Sequence, residues 1–509
     1  MPSLSPSLPV IRLTFAALVL LAAAACAGPR IERDLAADPA VAACLDGYRL
    51  IDQTVEAAGV RDAEASRIAG YPYLRTSRFL ASWREQELSD AAFEAWVDRL
   101  AALDRAGRTI ELANLPDDER RALDLAIDAE AIVEDCPAIL RVQDFSTLEG
   151  RDQLKAAVVV PDDYSALQRA VGVYALTAIP VAMGYERWKA RNLATFERSA
   201  PMLDWEGQPT VYRATTDRPP LDPAAVAAML RGSRINPLQV PELQGEQLMH
   251  LAEKFAPDFL IDVASDADRI GHPVWQADGV PSVDPGDPVA FVRLDHAWLD
   301  GEVVAQLVYQ IWFAARPRTG TFDLLGGALD GLVWRVTLDA DGRSLVYDTI
   351  HPCGCYHFFF PAPGIVRKAQ PQDEATDIRE TIEVPRVAPA LERGERMTVA
   401  LASGSHYVAG LAASSEIDDA WPERRYRLAI DPTIPDAALR SLPEPAGGRR
   451  SLYGPDGLVA GSERGERWLL WPMGIASPGA MRQWGRHATA FVGRRHFDDP
   501  YLIDGAFEP

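Results

Sequence analysis

The sequence predicts an α+β fold: a helical N-terminal domain, then a mostly antiparallel β-sheet or barrel-like domain with a C-terminal helix. Three observations lead there. Apolar residues recur every three or four positions from about residue 38 to about residue 196, and every second position from about residue 288. Between these stretches Pro and Gly are frequent and neither period holds. The organisation that follows is a signal peptide over 1–25, a helical domain over 26–200, a loop-rich connection over 201–285, and a mainly β domain over 286–509.

Each element has a local reason. DPAVAACLDGYRLIDQTVEAAGV puts Val41, Cys44, Tyr48, Ile51 and Val55 on one helical face, and Gly59 suits its end. SDAAFEAWVDRLAALDRAG offers Ser89 or Asp90 as N-cap and Gly107 as a stop. PDDERRALDLAIDAEAIVEDC begins with Pro116 and acidic residues that favour the helix dipole. AVGVYALTAIPVAMG, residues 170–184, is the most apolar internal stretch. It is too short for a membrane span and is interrupted by Pro180, so it predicts a buried helix or helix pair. WEGQPTVYRA suits one hairpin, and the stretch from Pro257 to Pro288 reads mostly as loop.

PVAFVRLDHAW and EVVAQLVYQIWF flank a turn at Asp300-Gly301. GLVWRVTL and SLVYDTIH flank a second turn that ends on Gly342, and MTVALASGSHYVAGL predicts a third near Gly404. SPGAMRQWGRHATAFV returns to helix, with Ser477 as N-cap and Pro478 at its first position.

The first residues carry an address. Arg12 precedes an apolar run from Leu13 to Ala25, and small residues lead to Cys26. This resembles a bacterial lipoprotein signal, in which the cysteine is lipidated and becomes the new N-terminus. Ala23 stands where that class usually has Leu, so cleavage at Ala23-Ala24-Ala25, giving a secreted protein, is the competing reading. With Ala27 after the cysteine, the resemblance implies sorting to the outer membrane of a Gram-negative cell, facing the periplasm.

Composition narrows the partners. The 509 residues are 48% hydrophobic and 24% charged, enough for a large core. A net charge of −22 repels phosphate backbones and anionic lipid headgroups, which excludes nucleic acid as a partner. Lipidation of Cys26 leaves four cysteines in a compartment where disulfides form. Cys44 with Cys136 is the simplest pairing, stapling two predicted helices.

That leaves Cys353 and Cys355 within YDTIHPCGCYHFFFP, residues 347–361. Strand alternation would put Tyr347, Thr349, His351, Cys353, Cys355, His357 and Phe359 on one face. Thiolate and imidazole suit Zn²⁺ or Cu⁺. A straight strand would hold His351 and His357 roughly 20 Å apart, so a shared ion needs Pro352 and Gly354 to bend the chain. Three readings stay open: packed residues or a structural disulfide; a metal site, completed by His296 or Asp348; and a redox-active, strained Cys353–Cys355 pair.

Other candidates are weaker. His296 lies beside Asp295, Asp300 and Glu302, which could orient it, or which form a solvated turn. His487, His496 and Asp498 could ligate a metal, with Arg486, Arg494 and Arg495 gripping an anion, or they complete a helix C-terminus. Ser405 and His406 are adjacent, which is not triad geometry. G-x-S-x-G, HExxH, P-loop and post-strand GxGxxG patterns are absent. The expected role is an exported envelope lipoprotein that binds a ligand or partner protein. The alternatives are a metal-dependent hydrolase using the His351/Cys353/Cys355/His357 cluster with Asp348 as base, and a thiol-disulfide oxidoreductase using Cys353 and Cys355.

Overall fold

The computed structural model describes residues 31, 33, 38–216, 218–369, 382–430, 437–491 and 493–508. The signal peptide and Cys26 lie outside the described residues. The chain is α+β: a helical N-terminal layer stands against a large, curled, mixed sheet, and a short helix lies near the C-terminus.

Helix α1 (Pro39–Ala58) starts because the Asp38 side chain accepts from the Ala40 and Val41 N–H groups, and it ends on Gly59 at φ +67°. Its buried face is Val41, Cys44, Tyr48, Ile51 and Val55. A hairpin of β1 (Ser66–Ile68) and β2 (Tyr71–Thr76) interrupts the helical region, followed by the one-turn α2 (Arg78–Ser82). Helix α3 (Asp90–Ala113) is capped by Ser89 and runs through Gly107 instead of stopping there. A Cβ at Gly107 would lie 2.4 Å from Arg75 Nη1, so this glycine makes room for a buried guanidinium. Helices α4 (Asp117–Ala126), α5 (Ala129–Asp144) and α6 (Leu148–Ala157) complete the layer, and Cys44 and Cys136 join α1 to α5 as a disulfide.

Helices α7 (Ala166–Val171) and α8 (Tyr174–Leu193) correct an expectation. The apolar stretch 170–184 is not buried: within α8 only Ala178 and Tyr185 are, while Leu176, Ile179 and Met183 face outward. One narrow stripe meets the protein, and the apolar residues exceed what it can cover. No helix among the described residues is long and apolar enough to cross a membrane.

The stretch 201–285 is also more regular than expected. It holds β3 (Gln208–Ala214), α9 (Pro223–Ser233), α10 (Gly245–Phe255), β4 (Asp258–Val263), and a small hairpin of β5 (His272–Trp275) and β6 (Pro281–Asp284). Strands β3 and β4 are interior members of the ten-stranded sheet. The rest of that sheet comes from β7 (Val289–Leu299), β8 (Glu302–Arg316), β9 (Gly327–Leu338), β10 (Ser344–Ile350) and β11 (Phe358–Pro361). After β12 (Val366–Arg367), which pairs outside it, come β13 (Met397–Leu401), β14 (Val408–Ala413) and β15 (Glu423–Ile430). The order is β11-β10-β9-β8-β7-β15-β3-β4-β13-β14. Only β7–β15, β15–β3 and β4–β13 pair in parallel. The β7–β8 turn places Asp300 at φ +49° and Gly301 at φ +79°, both left-handed, as a two-residue hairpin turn requires.

Both faces of the sheet's middle are covered. On one, Ala305, Leu307, Tyr309, Ile311 and Phe313 of β8 pack with Leu332, Trp334 and Val336 of β9 and with α9 and α10. On the other, Val308, Val333 and Ile350 lie beneath Trp484 and Phe497. The covering tail, 477–491, is not the helix its sequence suggests. Ser477 is left-handed at φ +42°, as are Gly479 and Gly485, and buried Arg482 binds backbone carbonyls of Cys353 and Ser477. Two short helices, α11 (Ala437–Arg440) and α12 (Arg467–Leu470), precede it, and the C-terminal helix is α13 (Leu502–Ala506).

Cys44 and Cys136 lie 92 residues apart in sequence, so their bond restricts a long loop of the unfolded chain. Replacing both with Ala should lower stability by about 3–4 kcal/mol, read from urea denaturation monitored by circular dichroism without reductant. An unchanged midpoint would refute the disulfide's structural role.

Candidate functional site

The row of four predicted ligands is taken apart by the fold. After β10 the chain turns: the His351 N–H donates to the Cys355 carbonyl at 3.0 Å and the Gly354 N–H to the His351 carbonyl at 2.8 Å. Gly354, at φ +82°, presses on the Ala488 carbonyl, and β11 then returns along β10. The bend therefore exists, but the side chains leave it in three directions. His351 Nδ1 lies 3.3 Å from Asp330 Oδ1. His357 Nε2 lies 2.9 Å from Asp348 Oδ2. Cys353 and Cys355 are buried, unbridged thiols in an apolar cluster.

Among the described residues no three His, Cys, Asp or Glu side chains are grouped to hold a metal ion. The assignment of His351, Cys353, Cys355 and His357 to one Zn²⁺ or Cu⁺ is therefore corrected, because the bend sends His351 to Asp330, His357 to Asp348 and the two thiols into an apolar cluster, so that the four do not converge. Asp348, the supposed base, is bound at both oxygens by Arg335, at 2.9 and 2.6 Å. Burial pushes this carboxyl up, but Arg335 and His357 together outweigh it and hold it below the usual range. The thiol pair gains nothing either. The Cys355 thiol is pushed well up by its hydrogen bond with Cys353 and by burial, the opposite of a reactive thiolate.

His351 instead ends a buried relay. Asp330 Oδ2 accepts from His406 Nδ1 at 2.9 Å, and His406 Nε2 lies 3.4 Å from Asp268. Burial lowers the His406 pKa, but the two carboxylates outweigh it and raise the value overall. Its imidazole stacks on Phe313 at 3.9 Å. This group is enclosed in the fold and braces the β13–β14 turn.

The other candidates separate. His487 is buried, and neither ring nitrogen meets a hydrogen-bond partner. Burial and the neighbouring Arg482 push its pKa down to about 3. His496 sits 3.2 Å from Asp163, whereas Asp498 accepts from Arg78 Nε at 3.2 Å, the guanidinium that also bonds Asp163. His296 donates through Nε2 to the Pro241 carbonyl and stacks on Phe79. Burial lowers its pKa to about 3, so it is neutral.

His296 and Asp498 nevertheless meet across one cavity. It has a volume of about 340 Å³ and lies where the helical layer faces β7, within the range of small-ligand sites. The helical side supplies Glu64, Arg78, Phe79 and Arg99; β7 supplies Arg293, Asp295 and His296; the tail supplies Trp484, Arg486 and Asp498; and Arg440 closes it. A larger groove of about 1150 Å³, beside α9 and the turn at Gly342, brings fewer charged groups together.

The cavity exists because β7 pairs with β15 only over residues 289–292, so residues 293–296 border open space. Strand alternation then sends Arg293 and Asp295 to one face and His296 to the other. Arg293 bonds Glu64 at 2.8 Å and stacks on Trp484 at 4.4 Å. Arg78 and Arg486 are held by one carboxylate, Asp163, at 2.9 and 3.2 Å. Arg78 uses Nε and Nη2, and Arg486 uses Nε and Nη1. Among the described residues, each keeps one terminal nitrogen for a further acceptor. Burial raises the Asp295 pKa to about 6, and Arg293 opposes the shift.

Of the cavity residues, the sequence points to His296, Asp498 and Arg486 but not to Arg78, Glu64, Arg293, Arg440 or Trp484. Arg293 carried a signal, being a charged residue alternating with apolar ones on a strand. The others are joined only by the fold. No family model, curated protein or solved structure matches this chain.

Asp295 gives a test of the cavity's electrostatics. An unfolded Asp titrates near 3.9, below the folded value of about 6. The group's contribution to stability is therefore full below about pH 4 and is lost as pH rises through about 6. Relative to the parent, Asp295→Asn should gain about 2 kcal/mol between about pH 4 and about pH 7.5, after discounting for contact with solvent in the cavity. Urea denaturation at the two pH values measures this; an equal difference at both refutes it.

Proposed function

We propose that this chain is an exported, lipid-anchored envelope protein that binds a small organic anion in the cavity between the helical layer and β7. The observation that carries the reading is the Arg78–Asp163–Arg486 arrangement. Two guanidiniums share one carboxylate, so they are fixed before any ligand arrives, and each retains a donor. Fixed guanidiniums suit carboxylate and phosphate oxygens. Trp484 and Phe79 supply flat apolar walls for the rest of the ligand. The export half of the reading is supported by the apolar run before Cys26 and by the Cys44–Cys136 disulfide, which suits an oxidising compartment.

Titration calorimetry of the chain from Ala27 onward against a panel of small carboxylates and phosphate esters tests the binding. At least one should bind, and Arg78→Met with Arg486→Met should weaken it by about tenfold to a hundredfold. Binding that survives both substitutions, or a panel without any binder, refutes the reading.

A further inference from the structure

Between Ser165 and Tyr185 the only charged residue is Arg169, in a chain whose charged fraction is 24%. Arg169 points inward: it is buried and donates to the carbonyls of Met473 and Gly493. The apolar residues of this stretch point outward. Leu167 is 75% exposed and Leu176 67%, with Val171, Ile179 and Met183 beside them. Helix α12 and the turn after it extend the same surface. The Gln168 amide donates to the Trp471 carbonyl at 2.7 Å and the Ser165 N–H to the Gly474 carbonyl at 2.7 Å, which lock the 471–474 turn against α7. There Trp468 is 72% exposed, with Leu469 and Trp471 also exposed. A contiguous exposed apolar surface of this kind marks an interaction site.

Its chemistry selects the occupant. The nearby polar side chains serve their own backbone: Thr177 bonds the Gly172 carbonyl, and Gln168 bonds Trp471. Little hydrogen-bonding capacity remains to specify a protein partner. Exposed indoles with aliphatic neighbours are the composition of surfaces that enter the headgroup boundary of a bilayer. Cations border this face despite the net charge of −22: Arg187 and Arg191 are one turn apart on α8 and exposed, Arg467 lies over the Trp468 ring at 5.0 Å, and the neighbouring carboxylate Glu186 is paired with Lys189. None of the three arginines takes a carboxylate partner among the described residues, whereas Arg33, Arg75, Arg78 and Arg108 all do. Local cations at the rim of an apolar face match lipid phosphates and offset the repulsion expected from the acidic whole.

We propose that α7, α8 and the Trp468–Trp471 turn form a membrane-docking face that rests on the headgroup region of a phospholipid bilayer. The inference is consistent with a lipid anchor on Cys26, but it concerns a different surface from the cavity and needs no acyl chain.

The test uses the unacylated chain from Ala27 onward and vesicles of phosphatidylethanolamine with a minor fraction of phosphatidylglycerol. The parent should sediment with the vesicles, and its tryptophan emission should shift to the blue. Trp468→Ser with Leu469→Ser, and separately Leu176→Ser with Met183→Ser, should each reduce partitioning about tenfold or more. All four residues are exposed, so circular dichroism should show the fold retained. Arg187→Glu with Arg191→Glu should weaken binding most where phosphatidylglycerol is present. Arg78→Met with Arg486→Met should sediment like the parent, which separates this result from the fate of the cavity. The proposal falls if the parent stays in the supernatant or if both apolar double variants bind like it. It also falls if velocity sedimentation finds a dimer that those variants dissociate while vesicles capture nothing, because the face then meets a second copy.

Discussion

The joint between the helical layer and the sheet is filled with charge, and the rest of the structure is arranged around keeping that charge paired. Arg75 is wholly buried between Asp104 and Glu111, and Arg108 bridges Asp104 to Asp52. The Asp62 N–H donates to Glu111, and the Asp62 carboxylate takes Arg440 at 3.0 and 2.6 Å. Glu64 continues the series to Arg293 on the sheet. Removing charges from water costs several kcal/mol per ion, and only close, multiply bonded partners offset it. Each member therefore fixes the position of the next. Gly107 shows how far this reaches, since a helix gives up a side chain so that one guanidinium fits.

The cavity is the place where this series opens. Arg78, Arg293, Arg440 and Arg486 come from four separate regions, and carboxylates on neighbouring elements orient them. A binding surface made this way is rigid because its components are also structural. Asp295 is the exception. Burial, with a smaller push from Asp498, holds its pKa up at about 6 against the opposing pull of Arg293.

Much of the fold was legible because its causes are local. Asp38 before Pro39, the alternation along β8, and Asp300-Gly301 between two apolar strands all act within a few residues. What was not legible depends on distant partners. WEGQPTVYRA suits a local hairpin, but it forms one strand, β3, between β4 and β15, the latter more than two hundred residues later, and nothing near Gln208 announces those partners. The tail has the composition of a helix, yet Met481, Trp484 and Phe497 each find a place on the sheet that a helix could not reach together. The four-residue His and Cys row suggests one strand face by alternation, with a bend at Pro352 and Gly354 only as the condition for a shared ion; the chain does bend there, and the row is dispersed. Where those side chains went was decided by Asp330 and Arg335 on another strand.

The position of β15 has a kinetic meaning. It is the strand that joins β7 to β3, and it is supplied only when residues 423–430 arrive. Until then the sheet consists of two halves with nothing between them, and its second face waits longer still for Trp484 and Phe497. Pairings of such wide sequence separation make folding slow. The ten-stranded sheet is therefore continuous only once a strand near the C-terminal end of the chain has joined it.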